Sequence, residues 1–249
     1  MYHGIHNHAD DEGYFDPVYS LTEKQFEEQL AWLDAHDYQA VTLPEALSNQ
    51  FQKPVVISFD DGDISNYNKA LPLLKKFGMR AEFYVTTDWI GNKNSMSAAH
   101  INELEKIGMR IQSHGHTHSY LDDLTYESIF EEVRQSVDAL NAIIDQRIDT
   151  IALPGGRANS DLLKIASCQG IKYICRSTPG YNNTKTDHHY INRFAMTADI
   201  SINDFSQLMK KHGVFPLKLM IKYKFLRMAK NILGNANYNR IRSNVFNKL

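Results

Sequence analysis

From about residue 22 to residue 211 the chain alternates short apolar runs with stretches of helical periodicity. That arrangement belongs to parallel α/β folds, in which a helix returns each strand to its own sheet. The spacing predicts a helix over 22–36, where Thr22 can cap, Gln25 completes a capping box, and Phe26, Leu30 and Leu33 share one face. It predicts further helices over 66–77, 97–107, 125–141, 160–169 and 203–211, the first two of these stopped by Gly78 and Gly108. Strands are expected over 55–59, 81–85, 109–113, 150–153, 172–175 and 189–194, after an irregular opening rich in His and Asp.

Several of these strands end in polar clusters. The buried-strand run Val55-Val56-Ile57-Ser58-Phe59 closes on Asp60-Asp61-Gly62. Burying one carboxylate is costly without compensation, and two side by side repel each other. A metal ion resolves both problems; an ordinary Asp-Asp-Gly turn is the plainer account. A second cluster, Ser113-His114-Gly115-His116-Thr117-His118, also follows a strand. A tight turn or one helical turn brings His114 and His118 to one point, with His116 directed elsewhere. A carboxylate and two imidazoles form a common three-ligand set for a catalytic divalent ion, zinc first, with nickel, cobalt or iron accepting the same donors. Pro154-Gly155-Gly156-Arg157 ends a third strand and Arg193 a fourth, so the clusters share the sheet edge where parallel folds bind ligands.

These residues also carry a resemblance. Ile57-Ser58-Phe59-Asp60-Asp61-Gly62 is similar to the T/S-F-D-D-G motif of the polysaccharide deacetylase family, the NodB-homology domain of carbohydrate-esterase type. Ser113-His114 through His118-Ser119-Tyr120-Leu121 resembles its H-x-x-x-H motif, and the opening Met1-Tyr2-His3, with Tyr19-Ser20-Leu21-Thr22 and Phe26–Leu30, is similar to bacterial members. The resemblance spans roughly residues 1 to 200. It implies a distorted, incomplete (β/α) barrel of about seven strands and metal-dependent removal of acetyl groups from sugars. Carried over, Asp61, His114 and His118 hold the metal, Asp60 is the general base that activates a water on it, and Gly155 offers a backbone N–H to the oxyanion.

Two departures follow from the same comparison. The family's third motif opens with an Arg that pairs with the base, and here Ala152 stands in that place. Another cation must steady Asp60, with Arg193 first and Arg157 second. The general acid of many members is a late Leu-x-x-His; the nearest match, Leu208 to His212, is one residue too long. An early Tyr-His dipeptide supplies it in some bacterial branches, so His3 is expected to protonate the departing amine. His6 and His8 are its close neighbours, and Asp10 and Asp11 read as loop residues.

With 249 residues and 43% hydrophobic content the chain can bury one large core. The net charge of -2 hides a division: residues 1–204 carry 17 Lys and Arg against 29 Asp and Glu, whereas residues 205–249 carry 10 and none. We expect a catalytic barrel over 1–212 and a basic amphipathic helical tail over 213–249, with apolar Leu217, Ile221 and Phe225 among lysines and Gly234 as its end. Such a helix fits an anionic membrane interface, or packs its apolar face on the barrel. No motif supports nucleic-acid binding. Cys168 and Cys175 form no C-x-x-C pair and read as core residues. No signal-peptide pattern opens the chain, so a cytoplasmic enzyme, peripheral to the inner membrane, is the expectation. The function expected is deacetylation of an N-acetylated glycan or lipid-linked sugar in a bacterial surface-glycan pathway. Hydrolysis of another amide or C–N bond on the same barrel, and glycan binding without catalysis, are the alternatives.

Overall fold

The computed structural model describes residues 1–157 and 159–225. It comprises two units, Met1–Ile202 and Asn203–Leu249.

The first unit is built on parallel strands. A five-stranded sheet runs in the order β3 (Ser58–Phe59), β4 (Glu82–Val85), β5 (Arg110–Ser113), β6 (Thr150–Ala152) and β7 (Tyr173–Cys175). Beside it β1 (Gln39–Ala40) and β2 (Pro54–Val55) form a small parallel pair. The helices α1 (Glu23–Ala35), α2 (Leu43–Leu47), α3 (Leu71–Lys76), α4 (Ala98–Lys106), α5 (Tyr126–Asn141) and α6 (Asp161–Cys168) lie in the connections. Single bridges extend both edges of the sheet, Tyr2 beside Phe59 and Ile191 beside Cys175. Met1 then joins these edges: its nitrogen donates to the Phe194 carbonyl at 3.0 Å, and its carbonyl accepts from Met196 N–H at 2.9 Å. The curled sheet is therefore an incomplete (β/α) barrel in which residues 1–2 form a stave.

Sequence explains the helix ends well. Thr22, with Gln25, makes a full capping box on α1, Ser97 makes one with His100 on α4, and Thr125 accepts from Ser128 N–H on α5. Phe26 of α1 packs edge-on to Phe59 at 5.6 Å, and Phe59 stacks on Phe83 at 5.2 Å. All three rings are buried; truncating one to Ala costs about 3–5 kcal/mol.

Three expectations need correction. The run over 55–59 is not one strand: Val55 pairs with Ala40, whereas Ser58 pairs with Glu82, because the chain changes neighbours between them. The helix over 66–77 opens as a wide π turn, Asn66–Ala70, before α3. Pro72 has no N–H to donate to the preceding turn, which loosens it. The segment 189–194 begins in a 3-10 turn, His188–Tyr190, capped by the Asp187 side chain, and only Ile191 joins the sheet, with 192–194 irregular. Asp side chains compete with strand pairing in this way.

In the second unit α7 (Ile202–Met209) is followed by a helix from 214 to the last described residue, 225. His212 N–H and Phe215 N–H both donate to Gln207, tying that segment to α7. Residues 226–249, with Gly234, lie outside the described residues. Among the described residues no helix is long and apolar enough to cross a membrane.

Candidate active site

Asp60 and Asp61 leave β3 at its C-terminal end. Asp60 is 2% exposed and is held by Arg193, whose two guanidinium nitrogens donate to its two carboxylate oxygens at 2.6 and 2.8 Å. This forked pair is the strong form of an Arg–carboxylate contact. Arg193 is itself fixed: Nε donates to the Arg176 carbonyl at 3.2 Å, and the guanidinium lies 5.2 Å from the Tyr84 ring centre. Burial pushes the Asp60 carboxyl up, but the Arg193 charge, with smaller help from His114 and His3, outweighs it and holds the carboxyl below its usual range.

Asp61 turns the other way. Its φ is +76°, and His118 has φ +64°, a left-handed conformation uncommon for residues with a side chain. Such strain gathers at functional positions. His114 Nδ1 lies 2.8 Å from the Ala152 carbonyl, which can only accept, so Nδ1 is assigned the proton and Nε2 keeps its lone pair. Nε2 of His114 and of His118 approach Asp61 Oδ1 at 3.3 and 3.2 Å. Neither approach has hydrogen-bond geometry, and Asp61 Oδ1 is buried without a hydrogen-bond partner.

The loop bearing both imidazoles is clamped from two sides. Glu132 of α5 accepts from the N–H groups of His116 and Thr117 at 2.9 and 3.0 Å. From the other side Thr87 N–H donates to the Gly115 carbonyl at 3.2 Å and Asp88 N–H to the His116 carbonyl at 3.0 Å. His116 Nδ1 pairs with Thr87 Oγ1 at 2.9 Å, away from the cluster. Gly115, at φ +80°, lets this loop pass Glu132, where a Cβ would lie 3.4 Å from its carboxylate. Trp89 stacks on the His118 ring at 5.1 Å.

The remaining candidates are distributed as follows. His3 is close enough to Asp60, Asp61 and His114 to feel their charges; burial, the largest influence, lowers its pKa, and its Nδ1 has no hydrogen-bond partner. Gly155 sits in the Pro154–Gly156 turn at φ +61°, and a Cβ there would lie 2.6 Å from Tyr120. Its neighbour Gly156 commits its N–H to the Leu153 carbonyl at 2.8 Å. Arg157, the second choice for Asp60, pairs instead with Asp122 and Asp123 at 2.9 and 3.1 Å. Asp11 accepts from Asn7 and His8 N–H and pairs with Lys69. His212 belongs to the second unit. Of the cysteines, Cys175 is buried and Cys168 is exposed, a correction. Cys168 ends α6 off the buried stripe of Leu162, Ile165 and Ala166.

The donor atoms suit a divalent cation. One ligand atom each from Asp61, His114 and His118 lies within 4.8 Å of the others. The two 3.2–3.3 Å separations are those of neighbouring ligands around an ion with bonds of about 2.0–2.2 Å. The carbonyl behind His114 is the outer partner such a ligand usually has.

The sequence reading missed Glu132 and Tyr84. A signal existed for the second: Glu82 and Tyr84 share one face of an otherwise apolar strand, and Tyr84 Oη donates to Glu82 at 2.5 Å. For Glu132 only a Glu-Glu pair on the following helix marked the place.

This barrel with a His-His-Asp cluster at its strand ends is the architecture of a family of hydrolases. The polysaccharide deacetylase family model matches residues 48–174. A Bacillus subtilis protein named putative polysaccharide deacetylase YxkH is 31% identical over 191 residues, covering 74% of this chain and 68% of its own. The poly-beta-1,6-N-acetyl-D-glucosamine N-deacetylase of Staphylococcus aureus is 29% identical over 216 residues, 79% of this chain and 73% of that one. Among solved structures the Streptococcus pyogenes deacetylase PplD, in complex with acetate, superposes with a TM-score of 0.77 at 27% identity, covering 84% of this chain and 96% of that one. The chain belongs to the polysaccharide deacetylase family.

Proposed function

We propose that this protein is a metal-dependent N-deacetylase of an N-acetylated amino-sugar polymer in a bacterial surface-glycan or exopolysaccharide pathway, with catalysis in the barrel unit. The observation that carries the reading is the contrast in surroundings between adjacent carboxylates: Asp60 forked by Arg193, Asp61 facing two imidazoles. The N-acetylated glucosamine polymer deacetylated by the staphylococcal relative is the substrate class proposed here, and the acetate bound by PplD is the expected acyl product.

Asp61, His114 and His118 would hold a divalent ion, zinc in the first instance and cobalt, nickel or iron as alternatives. When bound, the ion polarises the acetyl carbonyl and makes an adjacent water more acidic. Asp60, kept ionised by Arg193, takes a proton from the attacking water as its oxygen bonds to the carbonyl carbon. The Gly155 N–H donates to the carbonyl oxygen as negative charge builds there. The C–N bond then breaks, its electron pair passes to nitrogen, and charged His3 supplies the proton that releases a neutral amine beside acetic acid, which loses its remaining proton to solvent as acetate. Burial that lowers the pKa of His3 makes it a readier proton donor once charged.

A finer point concerns the second unit. Val214, Leu217, Ile221 and Phe225 are 75, 58, 58 and 64% exposed and recur at helical spacing, beside Lys218, Lys222 and Lys224. We propose peripheral contact with anionic lipid through this face, suited to a lipid-linked form of the substrate.

The reading is tested by following acetate and new primary amines together when the purified protein meets an N-acetylated glucosamine oligomer. Equimolar release of both, stopped by a chelator and restored by zinc, is expected. Acetate from no N-acetylated glycan under metal-replete conditions contradicts the reading and favours the alternative of another amide substrate.

A further inference from the structure

We infer that the turn following the carboxylate pair, Asp63-Ile64-Ser65-Asn66, is the mount that positions His3, with Asn66 as its principal positioning residue. The inference rests on His3 as proton donor to the departing nitrogen. Three polar side chains of this turn are buried, Asp63 at 2%, Ser65 at 1% and Asn66 at 0% exposed. Burying polar groups is unfavourable unless each finds a partner; Asn66 Nδ2 and Ser65 Oγ find theirs on the N-terminal segment, Asp63 finds its own within the turn and at Tyr14, and Asn66 Oδ1 has none among the described residues. Asn66 Nδ2 donates to the His3 carbonyl at 2.6 Å, and Ile5 N–H donates to Ser65 Oγ at 2.9 Å. His6 is enclosed against Asp63, with Nε2 3.5 Å from Asp63 Oδ1. Residues 3, 5 and 6 are thus met in order by 66, 65 and 63.

The turn is stiffened from within. Asp63 Oδ1 accepts from both Ser65 N–H and Ser65 Oγ, and its other oxygen accepts from Tyr14 N–H. Upstream, the backbone of Tyr2 is held along β3 and the residue after it: its N–H donates to the Ser58 carbonyl at 2.7 Å and its carbonyl accepts from Asp60 N–H at 2.9 Å. His3 leaves that ladder, and the bond from Asn66 fixes the direction in which it leaves. Base, metal-facing carboxylate and the mount of the acid therefore lie on one continuous stretch, residues 60–66. Proton acceptor and proton donor keep their separation because a single turn carries both. Positional errors of this kind are expensive, since about 1 Å of misplacement can cost about a hundredfold in rate.

The test is leaving-group dependence. A 4-nitrophenolate departs without a proton, whereas an alkoxide or an amine needs one as its bond to the acyl carbon breaks. The zinc-loaded full chain and its Asn66→Ala, Ser65→Ala and His3→Ala variants are assayed on 4-nitrophenyl acetate, ethyl acetate and an N-acetylated glucosamine oligomer. Asn66→Ala is expected to lose about tenfold to a hundredfold in kcat on the two poor leaving groups with little change in KM. On 4-nitrophenyl acetate it should stay within about twofold of the parent, the same pattern as His3→Ala. Ser65→Ala should lose less, in the same direction, and it decides the matter if Asn66→Ala does not fold. Equal losses on all three substrates, or none, overturn the mount. Backbone hydrogen exchange over residues 3–6 supplies a readout that needs no turnover: it should quicken in both mount variants, and unchanged exchange also overturns the inference. A parent that cleaves the esters but no N-acetylated glycan defeats the proposed function, and the ester comparison still judges the mount.

Discussion

Asp60 and Asp61 are neighbours in sequence with opposite surroundings: one is closed in a fork by Arg193, the other faces two imidazoles across 3.2–3.3 Å. Replacing Arg193 with Lys keeps the charge and loses the planar fork, so Asp60 is free to rotate. Arg193→Lys should lower kcat by about tenfold to a hundredfold while metal content stays at parent level; unchanged kcat contradicts the role assigned to the pair. The cysteines give a pH prediction. Burial pushes the Cys175 thiol up to about 11, whereas Cys168 is exposed. At pH 8 a disulfide reagent should therefore titrate Cys168 quickly and Cys175 only on unfolding. The folded chain holds the Cys175 proton more tightly than the unfolded one, so this contribution to stability is complete below the ordinary thiol range, near pH 8.5. It is lost as pH rises from there towards about 11. Denaturant midpoints that rise over this interval contradict the assignment. At this scale much was legible in sequence: the Asp pair and the His spacing marked the residues that the fold brings together. Cys168 was not, because one residue of phase decides whether a helix side chain meets the core.

At the scale of elements, the loop 114–118 is ordered less by its own residues than by what grips it, Glu132 on α5 and the turn after β4. Glu132→Gln should weaken metal binding about 10- to 100-fold in a chelator competition. An unchanged affinity shows that the clamp contributes nothing to the centre. The strands and helices around this loop follow from hydrophobic period and capping residues. Their departures have local causes: Pro72 opens the wide turn at Asn66–Ala70, and Asp187 caps a 3-10 turn where a strand was expected. The clamp itself was not legible, because a Glu on a helix surface carries no mark of the loop it reaches.

At the scale of the whole molecule, closure of the barrel depends on single bridges at its two edges. Tyr2 lies in the opening that read as irregular and Ile191 in a segment expected as a strand; with Met1 they join the sheet edges and bring His3 and Arg193 to the Asp pair. The charge division between residues 1–204 and 205–249 was legible at once. It predicts co-sedimentation of the full chain with vesicles containing anionic lipid and not with zwitterionic ones, weakened by salt. Equal binding to both contradicts the membrane role.

If the two adjacent carboxylates do different work, the Asp60→Asn protein should keep its zinc and lose its acetate release. The predicted result is zinc bound at parent stoichiometry with acetate release from an N-acetylated glucosamine oligomer reduced about 10²- to 10⁴-fold. A variant that binds zinc and releases acetate at close to the parent rate shows that Asp60 is not the base.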